Sequence, residues 1–330
     1  MSSWILGRAG LGYDGTERER GVGQTVDYEP LGLHHQQAYR TLWSRCAQRS
    51  SDQSFLVLWA WNETLGYQVA PGGDLLWIRQ LRPDPVYLPP VGGWDREDWA
   101  SRLLEAVGEE ARFLCVPEAL VRVWQDRLGG RIRVREDRDA FEYLHRVEEL
   151  ADLKGNRYMR KRNHINRFRR THAYRYLPLE EGLIPRVAEL QRIWCEEREC
   201  RDQFLLWGEH RGILRVLEDW GRLEGLLGGA LEVEGRLVAY TLGEDLGDRT
   251  LMIHFEKACP RVPDAYQVIH RDFLDRHRDR FDVVNREKDM GDPGIREAKM
   301  SYLPFDFLRK YQVEWSLHGF AEGSDSTREG

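Results

Sequence analysis

From Leu33 to Arg49 apolar side chains recur loosely at helical spacing, which predicts a helix. The pattern then changes to runs that alternate or close up. SFLVLWAW (Ser54–Trp61), GYQVA (Gly66–Ala70), DLLWIRQL (Asp74–Leu81) and PVYLPP (Pro85–Pro90) read as short strands punctuated by Gly-Gly and Pro. Trp94–Glu109 reads as a helix, Arg112–Val116 as a strand, Pro117–Leu128 as a helix entered through proline, and Arg131–Arg135 as a strand. The tryptophans Trp59, Trp61, Trp77, Trp94 and Trp99 fall in these patterns as core residues.

A charged stretch at Asp137–Ala140 separates this alternating half from a second one. The second half opens on a basic helix, about Asn156–Thr171, followed by a strand at Tyr174–Pro178 and two long helices, Ile184–Cys200 and Gln203–Trp220. Leu226–Val233, Arg236–Gly243 and Thr250–Glu256 form a meander whose Glu-Gly and Gly-Asp connections suit hairpins. A helix (Ala265–Arg278), a strand (Phe281–Asn285), a helix (Asp292–Tyr302) and a last strand (Gln312–Trp315) complete it. A chain of 330 residues is long enough for about two domains. The expected division is a polar segment over 1–25, a first domain over 26–137, a second over 138–315 and a polar tail over 316–330, with both ends frayed.

The longest apolar run, Phe55–Trp61, has seven residues, far short of the roughly 18 needed to cross a bilayer. No signal or transit pattern opens the chain, so the expectation is a soluble, cytoplasmic protein. Its five cysteines form no C-x-x-C pair, and neither a structural metal site nor a disulfide framework is expected. The net charge of -6 argues against indiscriminate nucleic-acid binding, but it averages unlike parts. Between Lys154 and His172 stand eight basic residues and no acid, after a flanking stretch, Glu136–Asp152, in which acids predominate. On a helix Tyr158, Ile165 and Phe168 share one side, while Arg160, His164, Arg167 and Arg170 fall opposite them and Arg157 borders the two. Lys154, Arg157, Arg160, Lys161, Arg162, His164, Arg167 and Arg170 are therefore the candidate contacts for a polyanion, such as the phosphates of an RNA acceptor stem, or for an anionic lipid surface. The competing reading is a solvated face paired with the acidic stretch before it.

HFEK places Glu256 at the end of a strand and turns the next residue, Lys257, to the other face. A carboxylate there suits proton transfer from an amine or the binding of a cationic group; a rim salt bridge is the alternative. NREKDMGD follows the next strand and gathers Asn285, Arg286, Glu287, Lys288, Asp289 and Asp292 around Gly291, a polar density typical of chemistry at strand ends. The calcium-loop pattern is absent, and Asp292 also makes a plausible cap for the following helix. Lys299 and Tyr302 share a face of that helix, where a lysine would stabilise a developing oxyanion or a terminal phosphate. No G-x-S-x-G elbow or basic cysteine motif supports nucleophilic catalysis.

Three stretches carry a family resemblance: DRDAFEYLHRVEELADLKGNRYMRKRNHINRF (Asp137–Phe168), HFEKACPRVPDAYQVIHRDF (His254–Phe273) and VVNREKDMGDPGIREAKMSYLPFDFLRKY (Val283–Tyr311). They resemble the C-terminal domain of phosphatidylglycerol lysyltransferase and its bacterial relatives. That resemblance, like the element order of the second half, implies an α/β (α+β) fold of tandem GNAT-like (acyl-CoA N-acyltransferase) domains, with mixed, mostly antiparallel sheets flanked by helices. It implies transfer of an aminoacyl group from aminoacyl-tRNA to an amine or hydroxyl acceptor, with no tightly bound cofactor. Glu256, Glu287, Lys299 and Tyr302 would be the catalytic set, and Lys257, Asn285, Arg286, Asp289 and Tyr266 the substrate contacts. GIREAKMSY also resembles the G-x-x-x-F-K-x-x-F phrase of tRNA-dependent peptidoglycan branching enzymes. Acyl-CoA is the alternative donor, but RVPDAYQ (Arg261–Gln267) lacks the glycines that let backbone N–H groups approach a pyrophosphate. A non-catalytic RNA- or lipid-binding module is the alternative from outside enzymology.

Overall fold

The computed structural model describes residues 25–320. The two terminal segments expected to fray therefore lie mostly outside the described residues. In chain order the elements are β1 (Glu29–Pro30), α1 (Gln36–Trp43), α2 (Phe55–Leu65), β2 (Tyr67–Gly72), β3 (Leu75–Gln80), β4 (Val86–Gly92), α3 (Trp99–Val107), β5 (Glu110–Pro117), α4 (Glu118–Leu128) and β6 (Ile132–Glu136). They continue as β7 (Glu142–Arg146), α5 (Val147–Asp152), α6 (Met159–Thr171), β8 (Tyr174–Pro178), α7 (Ile184–Glu197), α8 (Phe204–Glu218), β9 (Leu226–Val233), β10 (Arg236–Asp245) and β11 (Thr250–Ala258). The last are α9 (Ala265–His277), β12 (Val283–Lys288), α10 (Pro293–Met300), β13 (Asp306–Leu308) and β14 (Lys310–Ser316).

Two compact units result, and neither is a continuous segment. One holds residues 25–49, Leu65–Ala140 and residues 309–320; the other holds Ser50–Thr64 and Phe141–Leu308. The first unit is built on a sheet in the order β1-β2-β3-β4-β5-β14-β6. Trp77, Trp99, Trp124 and Phe113 stack edge to face beneath it, with centroids 4.9 to 6.4 Å apart. The second is built on the order β13-β7-β12-β11-β10-β9-β8, with α5, α6 and α9 closing one core over Val284, Ile253 and Leu231.

Three sequence expectations are corrected here. The division at 137/138 gives way to the interleaved one. The strand expected at Gln312–Trp315 forms, as β14, but pairs with β5 and β6 of the first sheet, whereas β13 closes the second. SFLVLWAW is helix α2, because a segment buried on nearly every side shows no period that separates helix from strand. Its partner α8 carries Gly208 and Gly212 one turn apart, where a Cβ would lie 2.8 Å from Trp61 Cζ3 and 2.8 Å from the Ala60 carbonyl oxygen. The acidic stretch before the basic helix also holds structure that the charge pattern hid, namely β7 and α5.

Two irregularities position the site. β11 and β12 run parallel and pair only at Thr250–Met252 with Val283–Asn285, beyond which they splay. In β11 the register against β10 slips between Ile253 and Phe255, leaving His254 as an extra, bulged residue. That bulge reverses the alternation, so Glu256 joins Leu251 and Ile253 on the α9 side while Lys257 turns to α8. In β12 a second bulge lies between Asn285 and Lys288, with Glu287 at φ 57°.

The α2–α8 contact gives a direct check. Gly212→Val should destabilise the protein by about 1–3 kcal/mol through overpacking against α2. Gly182→Ala, where a Cβ meets nothing within 4 Å, is the control. Equal denaturation midpoints for the two variants would mean that α2 does not need this approach.

Candidate functional site

The splay between β11 and β12 is bridged by a buried imidazole. His254 Nδ1–H donates to Glu287 Oε1 (2.5 Å) and Nε2–H to Glu244 Oε2 (3.2 Å), and Ser54 Oγ donates to the same Glu244 oxygen at 2.5 Å. Burial alone would lower the His254 pKa, but hydrogen bonds to the two carboxylates outweigh it and push the value up to about 9. At neutral pH this residue is an imidazolium locked between two acids, with no lone pair for chemistry.

The bulged end of β12 and the loop after it are held from beneath. Asn285 Nδ2 donates to Glu142 Oε2 (2.5 Å), Ser51 donates through N and Oγ to Glu142 Oε1, and the Glu287 N–H donates to Asn285 Oδ1 (2.8 Å). Lys299 Nζ donates to the carbonyls of Arg286 (2.6 Å), Glu287 (3.1 Å) and Lys288 (2.6 Å). An ammonium has three protons, so all are engaged in fixing the loop. Burial brings its pKa down to about 8. Asp289 is wholly buried and accepts from Tyr143, Arg296 and the Gly291 N–H. Burial raises its pKa, but these donors win and hold it below the usual range. Asp292 caps α10 by accepting from the Ile295 N–H at 2.8 Å.

On the α9 side of the sheet the arrangement differs. His270 is 1% exposed, and its Nδ1–H donates to Glu256 Oε2 at 3.1 Å. That bond leaves Nε2 as a lone pair, and Nε2 has no partner among the described residues. Burial, then the nearby Arg286 charge, lowers the His270 pKa and keeps the ring neutral. The His270 ring meets Tyr302 edge-on at 5.2 Å, and Arg286 and Lys161 lie 4.6 and 4.0 Å from the same Tyr302 ring. Tyr302 is itself buried, which pushes its hydroxyl pKa up to about 12. His145, held neutral mainly by burial, lies beside the Tyr302 carbonyl without reaching hydrogen-bond geometry to it.

Next to this cluster a groove of about 410 Å³ runs between α6 and α10, lined on one wall by Arg157, Arg160, Lys161 and His164 and on the other by Gly294, Glu297, Ala298 and Ser301. Lys161 Nζ donates to Ser301 Oγ (2.7 Å) across it, and burial brings the Lys161 pKa down to about 8. The rest of the basic helix is less available than its sequence suggests. Arg167 makes a two-pronged pair with Asp264 (2.5 and 2.6 Å) that His164 joins at 2.8 Å, and Arg162 donates to the Leu153 and Gly155 carbonyls. Lys154 pairs with Asp152 and Arg157 with Glu149, within the acidic stretch. Arg160 and Arg170 alone among the candidates make no ion pair or side-chain hydrogen bond with any described residue.

The start of α9 bears on acyl-CoA. Asp264 is its N-cap, with a side chain only 6% exposed and a carboxyl held below the usual range by Arg167. With no glycine in Arg261–Gln267 and a carboxylate already at the helix start, these residues do not fit a pyrophosphate. Ligand-type residues do meet in the first unit, where atoms of Glu29, His34 and His35 lie within 4.8 Å of one another; His35 Nε2 is already hydrogen-bonded to Glu29 at 2.8 Å.

The structure thus redistributes the expected roles. Glu256, Arg286 and Tyr302 converge, whereas Glu287, Asn285, Asp289 and Lys299 build the loop beside them. Lys257 pairs with Glu209 on the opposite face, and Tyr266 donates to the Glu256 carbonyl. Sequence reasoning missed His254, Glu244, Glu142 and His270. The available signal was a histidine set beside the buried stripe Val268, Ile269 and Phe273 of α9.

The clamp predicts a pH signature. A folded pKa near 9 against about 6.5 unfolded stabilises the protein fully below pH 6.5, and that stabilisation is lost as pH rises through about 9. The stability difference between wild type and His254→Gln should therefore be largest below pH 6.5 and shrink through pH 9. Denaturation series at matched pH values check it, and a difference that grows with pH would contradict the clamp.

Among the described residues no helix is long and apolar enough to cross a membrane. No curated protein matches the sequence. A conserved protein of unknown function from Bacteroides thetaiotaomicron is 30% identical, with a TM-score of 0.82 over 88% of this chain and 100% of that one. The C-terminal domain of a putative lysylphosphatidylglycerol synthetase from Agrobacterium fabrum shares the fold at 12% identity (TM-score 0.61; 86% and 92% covered), as does L-PGS from Bacillus licheniformis at 12% (TM-score 0.53; 79% and 91% covered). The two helix-flanked, mostly antiparallel sheets are those of tandem GNAT-like proteins, and family and fold together point to a GNAT-like acyltransferase. With residues 43–314 matched, the chain belongs to the family described as phosphatidylglycerol lysyltransferase, C-terminal.

Proposed function

We propose that this protein transfers an aminoacyl group from aminoacyl-tRNA to an amine or hydroxyl acceptor, with His270 as proton acceptor and Glu256 as the residue that positions it. The observation that carries the reading is the Glu256–His270 pair, because it presents a neutral imidazole nitrogen without a partner beside the splayed strands. Transfer from an ester to an amine requires approximation and a base, and no covalent intermediate. His270 Nε2 takes the proton lost by the attacking nucleophile, and Glu256 fixes the tautomer that leaves Nε2 free. The groove beside it supports a phosphate-bearing donor through Arg157 and Arg160, with Arg170 further along α6. The unfit start of α9 favours tRNA over acyl-CoA.

Labelled aminoacyl-tRNA pools with cell extract as acceptor source test the activity. His270→Ala should lower the rate about 10²-fold or more while tRNA binding persists. Transfer from acetyl-CoA alone, or full activity in the variant, would defeat the reading.

The donor surface is tested separately. The double variant Arg160→Ala with Arg170→Ala should bind tRNA more weakly and lower the slope of log K against log salt by roughly 1.4–1.8, because two phosphate contacts no longer release counterions. An unchanged slope in the folded variant would leave α6 as a structural helix tied to α9 by Arg167 and Asp264.

A further inference from the structure

Two cations and a neutral histidine converge on Tyr302, and the acid beside them, Glu256, is hydrogen-bonded to His270 and makes no ion pair with either cation. Arg286 makes no ion pair with any described residue, and its Nη1 is buried without a hydrogen-bond partner. Lys161 has Ser301 Oγ as its polar contact and pairs with no carboxylate among the described residues. A buried donor left unpaired costs about 1–3 kcal/mol, and more when charged, so a cluster of such atoms in one place suits a ligand that completes it. Its requirements are specific. The guanidinium and ammonium ask for an anionic oxygen group, and His270 Nε2, as a lone pair, asks for an N–H or O–H donor.

We propose, building on the aminoacyl-transfer reading, that the acceptor is a small molecule carrying a carboxylate beside its nucleophilic amine, as an amino acid does, with the carboxylate held by Arg286 and Lys161 and the amine at His270 Nε2. A carboxylate is a terminal group and needs one way in. A lipid phosphodiester continues on both sides and would have to thread its chains past Tyr302 and His270, which are 7% and 1% exposed. In the transfer the amine nitrogen attacks the ester carbonyl of the donor, a C–N bond forms and the C–O bond to the ribose breaks. The proton leaving nitrogen passes to His270 Nε2 and from there to the departing ribose oxygen, so the product is an amide and His270 is regenerated.

The experiment is calorimetric titration of the full chain with the twenty L-amino acids, and of each binder's carboxamide. At least one amino acid should bind, its carboxamide at least ten-fold more weakly, and Arg286→Lys and Arg286→Gln should each lose ten-fold or more. The acid-against-amide comparison is made on the unaltered protein, so it stands even where a variant fails to fold. Imidazole ¹⁵N spectra should show the His270 Nε2 resonance shifting on binding. No binding by any amino acid would mean that buried water completes the cluster, and equal binding of acid and amide would remove the carboxylate; either overturns the proposal. So would Arg286-dependent binding confined to phosphatidylglycerol vesicles. Binding is read without any donor: amino-acid binding with no transfer from aminoacyl-tRNA would uphold this site and defeat the donor reading, whereas transfer without amino-acid binding would do the reverse.

Discussion

A protonated histidine between two glutamates is the constraint on which the second unit's working face depends. Parallel strands that part company expose unpaired backbone and leave a seam in the sheet. Here the seam is drawn together by His254, which reaches Glu244 on β10 and Glu287 on β12. Removing two carboxylates and an imidazolium from water is unfavourable unless each is matched, and the match is close: Ser54 supports Glu244, and Asn285 holds the backbone of Glu287. The bulge that frees His254 for this task is the same one that turns Glu256 to α9. One extra residue therefore sets both a locked, charged histidine on one face and an unlocked, neutral one on the other.

The basic helix shows how charge counted along a chain differs from charge met in space. Its run of arginines lacks acidic neighbours in sequence, yet Arg167 finds Asp264 and Arg169 finds Asp272, 97 and 103 residues away. These pairs tie α6 to α9, and α9 carries His270. What remains without an ion pair is narrower, Arg160 and Lys161 on the groove with α10 and Arg170 further along α6. The anion-binding surface is thus smaller than the sequence suggests, but it adjoins the neutral histidine.

Local signals carried most of the second unit. The meander strands, their Glu-Gly and Gly-Asp turns and the Asp292 cap follow from residue type at short range, and the structure has them near the expected positions. Buried elements were another matter: α2 is apolar on almost every side, so only Gly208 and Gly212 on α8, far along the chain, reveal that a helix packs there. β14 has a strand's pattern in any sheet, and nothing local states which one it joins. Glu256 and Arg286 were legible as polar residues at strand ends, whereas the partner that makes Glu256 useful sits on the buried side of a helix, where histidine commonly signifies packing.

The placement of β14 has a consequence for how the chain is made. Lying between β5 and β6, it is an inner strand of the first sheet, yet the ribosome delivers it after the whole second unit. Until then β5 and β6 carry unpaired edges, open to association with other chains. The first unit is begun early and completed last, so the integrity of the N-terminal sheet reports on the completeness of the C-terminal sequence. A nascent or prematurely ended chain would be recognisable to quality-control proteases by that missing inner strand.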